Sequence, residues 1–191
     1  MNKARLETFS DGVIAILITI MVLGLRTPES ADLRGLQAIL PAILTYLLSF
    51  LYLGIYWNNH HHTFVLVDKV SGGVLWANLH LLFWLSLIPF GTVWLGENHS
   101  AAVPAAAYGV ILLMSGAAYT ILLRTIIATQ GAHSKLAAAI GDDRKGMISL
   151  ALYALSIPLA FVASWISDAL FIVVALIWFI PDRRIEKKLD G

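Results

Sequence analysis

The sequence predicts an all-α integral membrane protein with six transmembrane helices, forming a single domain over residues 1–191. Three observations support this fold class. Hydrophobic residues make up 59% of the chain and charged residues only 13%, whereas water-soluble domains carry about 25% charged residues. The mean hydropathy is +0.79. The apolar residues also gather into six stretches of roughly the 20 residues that a membrane span requires.

The six predicted spans follow one another along the whole chain. They cover residues 6–25, 36–58, 72–95, 101–128, 147–165 and 169–181. Lys3 and Arg5 precede the first span, as in a signal peptide, but Ser10 and Asp11 interrupt its start and no small-residue cleavage site follows it. We therefore interpret this segment as a retained first helix.

The later spans differ in composition and length. The second contains Pro41 in its opening turns, and the third is rich in tryptophan. The last two spans are short, and residues 164–168 are the only break predicted between them, so a single buried hairpin is an alternative to two spans. The longest connection, over residues 129–146, is polar, and we expect it to be cytoplasmic.

Basic residues are divided unevenly between the two sides of this layout. The side of the N-terminus holds Lys3, Arg5, Lys69, Arg124, Lys135, Arg144, Lys145, Arg183, Arg184, Lys187 and Lys188, and the other side holds Arg26 and Arg34. Because basic loops stay in the cytoplasm, we expect both the N- and the C-terminus to be cytoplasmic.

Charge and cysteine content exclude several function classes. The net charge is only +1, which gives no support for a nucleic-acid partner. The chain has no cysteine, so it has no disulfide, no thiolate metal site and no cysteine nucleophile. Nothing in the sequence indicates a cofactor.

Asp11 is the most informative residue of the first span. An ionisable group at the centre of a membrane helix costs about 2.5–3.5 kcal/mol on insertion scales. A carboxylate at this place therefore needs a partner, and such residues usually mark the functional part of a membrane protein.

The first span presents a stripe of bulky and small residues on one side. At 100° per residue, Thr19, Ile20 and Leu23 fall within about 60° of Ile16, whereas Asp11 lies about 140° away. Ser10 is displaced from Ile16 by about 120°. The stripe therefore faces one environment, and the Ser-Asp pair faces packed neighbours. Ordinary helix packing through small residues is the alternative interpretation of the stripe.

A run of three histidines, His60, His61 and His62, ends the second span. Adjacent helical residues point about 100° apart, so the three rings do not chelate together easily, and we predict no metal site. Histidine and tryptophan side chains can instead donate hydrogen bonds to a buried carboxylate such as Asp11. Asn78 is either a contact between helices or part of the same polar group, and we interpret His80 as a core histidine.

These residues together resemble the transmembrane protein 175 family of potassium channels. The matching residues are Arg5, Phe9, Ser10 and Asp11 in the first span, Trp57, His60, His61 and Phe64 around the end of the second, and Asn78, Pro89 and Phe90 in the third. They occur in the family's order and spacing over residues 5–90. The second half of the chain matches only in hydropathy and length.

The resemblance implies a homotetramer whose first helices line a central pore. The pore-lining positions it implies are Ile16, Thr19, Ile20 and Leu23, which is the stripe found from helical angle. It further implies a polar network that holds the helices, made of Arg5, Phe9, Ser10, Asp11, Trp57, His60, His61 and Asn78. His62 is an addition to the pattern, so which histidine joins the network stays open.

Three functions compete at this point. The first is a passive potassium channel in a bacterial inner (plasma) membrane, with potassium ions, lipid and its own copies as partners and no metal other than permeating K⁺. The second is a secondary transporter that uses Asp11 as a coupling carboxylate, which the short length and the lack of an inverted repeat disfavour. The third is an intramembrane enzyme built on His60, His61 and Asp11, which no nucleophile-and-base pattern supports.

Overall fold

The computed structural model describes residues 2–131, 133–141 and 143–179, and helices are the only regular structure in these residues. Their bounds are α1 Lys3–Val22, α2 Leu33–Val65, α3 Gly72–Ser86, α4 Ile88–Glu97, α5 Ala102–Gln130, α6 Lys135–Ile140, α7 Arg144–Ala160 and α8 Ser164–Phe179. The all-α prediction is confirmed.

Side-chain caps fix where several helices begin. Asn2 accepts a hydrogen bond from the Ala4 amide at the start of α1, and Asp32 accepts one from the Gly35 amide at the start of α2. Such caps pair backbone N–H groups that have no partner within the helix. The helix beginnings are therefore set by local sequence.

Among the residues that the structure describes, three segments are long and apolar enough to cross a membrane. They are Leu33–Val65, Gly72–Glu97 and Ala102–Gln130, and Ser164–Phe179 is a shorter apolar helix. α1 carries Arg5, Glu7 and Asp11 in its first half.

The structure corrects several predicted boundaries. α2 continues to Val65 and contains all three histidines, because hydropathy marks the apolar length of a helix and not its hydrogen-bonded length. The third predicted span is two helices, α3 and α4, separated at Leu87. Pro89 has no N–H to donate to the carbonyl four residues earlier, which favours a break there.

The second half differs from the prediction in two places. The polar connection contains the short helix α6, which Ser134 caps through the Ala137 amide. The predicted break at residues 164–168 is wrong, since α8 already begins at Ser164 and the break lies at residues 161–163. The end of the sixth predicted span, residues 180–181, lies outside the described residues, as do Arg183, Arg184, Lys187 and Lys188.

α5 forms the centre of the bundle. It packs against α3, α4, α7 and α8, while α1 packs against α2, α3 and α4 on one side of the subunit. Small residues allow the close approach of the helices: a Cβ atom on Gly109 would lie 2.8 Å from the Ser156 hydroxyl of α7. This arrangement leaves α1 at the edge of the bundle.

Candidate functional site

One side of α1 is exposed in the part of the chain that the structure describes. Ile16 is 58% exposed and Leu23 is 81% exposed, whereas Ile14 and Met21 on the other side are each 1% exposed. Ile20 and Thr19 are exposed as well. The stripe found from helical angle therefore lies on the exposed side of α1.

Thr19 contributes the hydroxyl group of this stripe. Its Oγ1 donates to the carbonyl of Ile16 over 2.9 Å, within its own helix. A hydroxyl oxygen that donates its proton to the backbone keeps its lone pairs as acceptors. Thr19 is therefore an exposed acceptor between bulky aliphatic side chains.

A chain of buried hydrogen bonds connects α1, α3 and α2. Ser10 donates to the Leu6 carbonyl over 2.9 Å, and Asn78 Nδ2 donates to Ser10 Oγ over 2.9 Å. His60 Nε2 lies 2.8 Å from Asn78 Oδ1. Since the carbonyl oxygen can only accept, His60 carries its proton on Nε2. All three polar side chains are at most 1% exposed.

Asp11 has a different partner from its neighbour Ser10. The indole Nε1 of Trp57 donates to Asp11 Oδ1 over 3.0 Å in an exposed position. His61 stacks on Trp57 with ring centroids 6.3 Å apart. The sequence-derived network is therefore two separate groups of contacts, one buried around Asn78 and one exposed around Trp57.

The other predicted network residues take no part in these two groups. Arg5 is exposed and Phe9 is 53% exposed. Within the described residues, neither Arg5 nor Asp11 forms an ion pair. Near the start of α1, Lys3 Nζ lies 3.5 Å from the Val65 carbonyl in an exposed position.

The structure distinguishes the three histidines. His60 is buried, hydrogen-bonded to Asn78, and stacked on Phe64 with ring centroids 4.5 Å apart. His61 is exposed, and His62 is half-buried. His60 is thus the histidine that joins α2 to the buried group. In the part of the chain that the structure describes, no three His, Asp or Glu side chains come together as a metal site.

The prediction from sequence missed a buried hydroxyl cluster between α1, α2, α4 and α5. Thr92 Oγ1 lies 2.7 Å from Ser49 Oγ and 3.6 Å from Met21 Sδ. Ser49 Oγ in turn lies 2.7 Å from the hydroxyl of Tyr108. Each apolar span contains several polar residues, and the sequence does not indicate which of them pair.

The sequence and fold are similar to those of known channels. A family model described as the endosomal/lysosomal potassium channel TMEM175 matches residues 5–89. A protein of Chryseobacterium sp. (strain P1-3) that is named a potassium channel is 56% identical over 189 residues, which cover 99% of this chain and 98% of that protein.

A solved structure and an animal protein are also similar. The crystal structure of a lysosomal potassium-selective channel TMEM175 homologue from Chamaesiphon minutus has a TM-score of 0.84 and 28% identity, and the match covers 94% of this chain and 97% of that chain. The human protein named endosomal/lysosomal proton channel TMEM175 is 31% identical over 101 residues, which cover 47% of this chain and 20% of that protein.

Proposed function

Because the chain belongs to the TMEM175 family of potassium channels, we propose that it conducts potassium ions as a homotetramer whose four α1 helices line a central pore. The chain is an integral membrane protein, and its family is a family of channels and not of enzymes.

The observation that best supports this proposal is the exposed stripe of α1. An apolar surface of this kind needs a cover, either lipid or another subunit. One helix cannot enclose a pore, whereas rotational symmetry brings the same stripe of every copy to a common axis. Four copies enclose a narrow pore, and Ile16, Ile20 and Leu23 then form successive apolar rings.

These rings form a neck that controls conduction. A narrow apolar constriction excludes water, and an ion cannot pass where its hydration shell is not replaced. The exposed hydroxyl oxygen of Thr19 lies between the rings and gives the ion a polar contact on its path. The chain has no Thr-Val-Gly-Tyr-Gly selectivity loop of the kind found in ordinary potassium channels.

The buried group around Asn78 orients the pore helix. It links α1 to α2 and α3 through Ser10 and His60. A rotation of α1 that turned the stripe away from the axis would break these hydrogen bonds. The group therefore acts as the structural support of the pore.

Six membrane spans are the topology that fits this function. They are α1, α2, the pair α3 and α4, α5, α7 and α8, with both termini and α6 on the cytoplasmic side. Trp76 is 75% exposed near the start of α3, and Trp165 is 69% exposed near the start of α8. These starts lie at opposite surfaces in this topology, which suits tryptophan at each lipid–water interface. We place the channel in a bacterial plasma membrane.

Recording from the purified protein tests the proposed function. In planar bilayers with a potassium gradient, we expect discrete single-channel steps whose reversal potential moves toward that of K⁺. A carrier with continuous, saturable flux and no steps would contradict the channel proposal. The Val22→Asn and Ile16→Asn variants provide a matched pair, because both residues are exposed on α1 and only Ile16 lies on the stripe.

The oligomeric state needs a separate measurement. Mass photometry in mild detergent should give the mass of four chains, and crosslinking should proceed to tetramer. The proposed tetramer would be contradicted if crosslinking stopped at the dimer, or if a monomer still conducted. Either result would leave the conduction measurement valid.

A further inference from the structure

A cavity of about 390 Å³ lies behind the end of α1 that carries Leu23. Met21 and Gly24 form its wall on the α1 side, and residues of α2 and α4 form the others. Two further cavities, between α2, α5 and α7, measure about 40 and about 100 Å³. Sites for small ligands usually measure about 300–1,000 Å³, so the cavity behind α1 has the size of a binding site.

Small side chains create this space. Ala38 and Ala42 of α2 and Gly96 of α4 line the cavity. A Cβ atom on Gly96 would lie 3.0 Å from the Ala42 Cα, so the two helices meet closely at this wall. The cavity lies between this contact of α2 with α4 and the C-terminal end of α1.

Two opposite charges at the rim of the cavity pair with each other, and His99 lines the cavity as well. Arg26 Nε lies 2.8 Å from Glu97 Oε1, and both residues line the cavity. Asn98 Nδ2 donates to the Trp94 carbonyl, which leaves the amide oxygen as an acceptor at the rim. Because Arg26 and Glu97 are already paired, they attract a charged ligand only weakly. A neutral molecule with a hydroxyl group at one end can instead donate a hydrogen bond to the amide oxygen of Asn98.

We propose that this cavity binds small neutral amphiphiles, with the apolar part against Met21 and Ala42 and the polar end at the rim. Such an occupant keeps the neck narrow, an effect that depends on the proposed pore. Met21 is 1% exposed and lies on the other side of α1 from Leu23. An occupant behind Met21 therefore prevents the backward movement of α1 that would widen the ring of Leu23 side chains.

The absence of cysteine in the chain allows a direct test of binding. Ala38 and Leu40 are both exposed residues of α2, and only Ala38 lines the cavity, so Ala38→Cys and Leu40→Cys differ in whether the thiol lies at the cavity. Propyl methanethiosulfonate reacts with the thiolate to form a mixed disulfide and releases methanesulfinate. Mass spectrometry then gives the modification rate of each variant with and without 1-hexanol, a neutral amphiphile.

Protection of the thiol by 1-hexanol measures the occupancy of the cavity and does not depend on a channel current. At about three times its dissociation constant, mass action leaves about a quarter of the cavities empty, so the rate for Ala38→Cys should fall about fourfold. The rate for Leu40→Cys should not change. Equal rates with and without 1-hexanol in the Ala38→Cys variant, or no reaction there at all, would overturn the binding site.

Single-channel recording of the same variants tests the effect on the neck. The tethered propyl group in Ala38→Cys should lower the open probability, and the same group in Leu40→Cys should not. Protection from modification without any change in open probability would overturn the coupling to the neck. If the unmodified channel conducts no potassium, the proposed function fails, while the protection result still decides the binding site.

Discussion

The side-chain amide of Asn78 donates to the hydroxyl of Ser10 over 2.9 Å, and both residues are fully buried. The bond joins α3 to the side of α1 that faces away from Ile16. It therefore fixes which side of α1 packs within the subunit and which side remains exposed. A buried polar group that loses its partner costs about 1–3 kcal/mol, so α1 does not rotate freely.

Asn78→Ala should destabilise the protein by about 1–3 kcal/mol, because His60 Nε2 loses its acceptor in a buried position. Thermal unfolding in detergent measures this change. Leu79→Ala is the control, since Leu79 is adjacent on α3 and 43% exposed. Equal unfolding temperatures for the two variants would show that the buried group does not hold the helices.

Thr92→Val should destabilise the protein by about 1 kcal/mol, which is the usual net value of one hydrogen bond. The substitution keeps the shape of the side chain and removes its contacts with Ser49 and Met21. Thr129→Val is the control, because the hydrogen bonds of Thr129 are exposed. A larger loss of stability for Thr129→Val than for Thr92→Val would contradict a structural role for the buried hydroxyl cluster.

Replacing Ile16 or Leu23 with asparagine should raise the single-channel conductance. A polar side chain admits water into an apolar constriction and lowers the barrier to a hydrated ion. Val22→Asn should leave the conductance unchanged, since Val22 is 45% exposed but lies off the stripe. Unchanged currents in both stripe variants would mean that this side of α1 faces lipid or protein.

The residues of the predicted stripe share one side of α1, because helical angle alone determines which residues of a helix point the same way. The sequence could not predict the partners of the polar residues. Ser10 and Asp11 are adjacent but point about 100° apart, so one contacts Asn78 on α3 and the other Trp57 on α2. Which helix lies in each direction depends on the packing of the whole bundle.

The helix bounds of the structure differ from the predicted ones for a related reason. Residues 164–168 were interpreted as a break because two serines and an aspartate interrupt the apolar run. In the structure, Ser167 Oγ donates to the Ser156 carbonyl of α7 over 2.7 Å, and the helix continues around it. A serine that finds an acceptor on a neighbouring helix has the same sequence signature as a serine in a loop.

Asp11→Asn should leave the tetramer and its potassium current intact. Asparagine keeps a carbonyl oxygen that accepts the indole N–H of Trp57, and the bond lies in an exposed position where its loss costs little. Mass photometry checks the assembly and single-channel recording checks the current, with Glu7→Gln as a control for removing one carboxylate from the same helix.

A transporter that coupled ions through Asp11 would behave differently: the Asp11→Asn protein would assemble normally and lose its flux, while the Glu7→Gln protein would keep its flux. That result would identify Asp11 as a coupling carboxylate and contradict the passive pore.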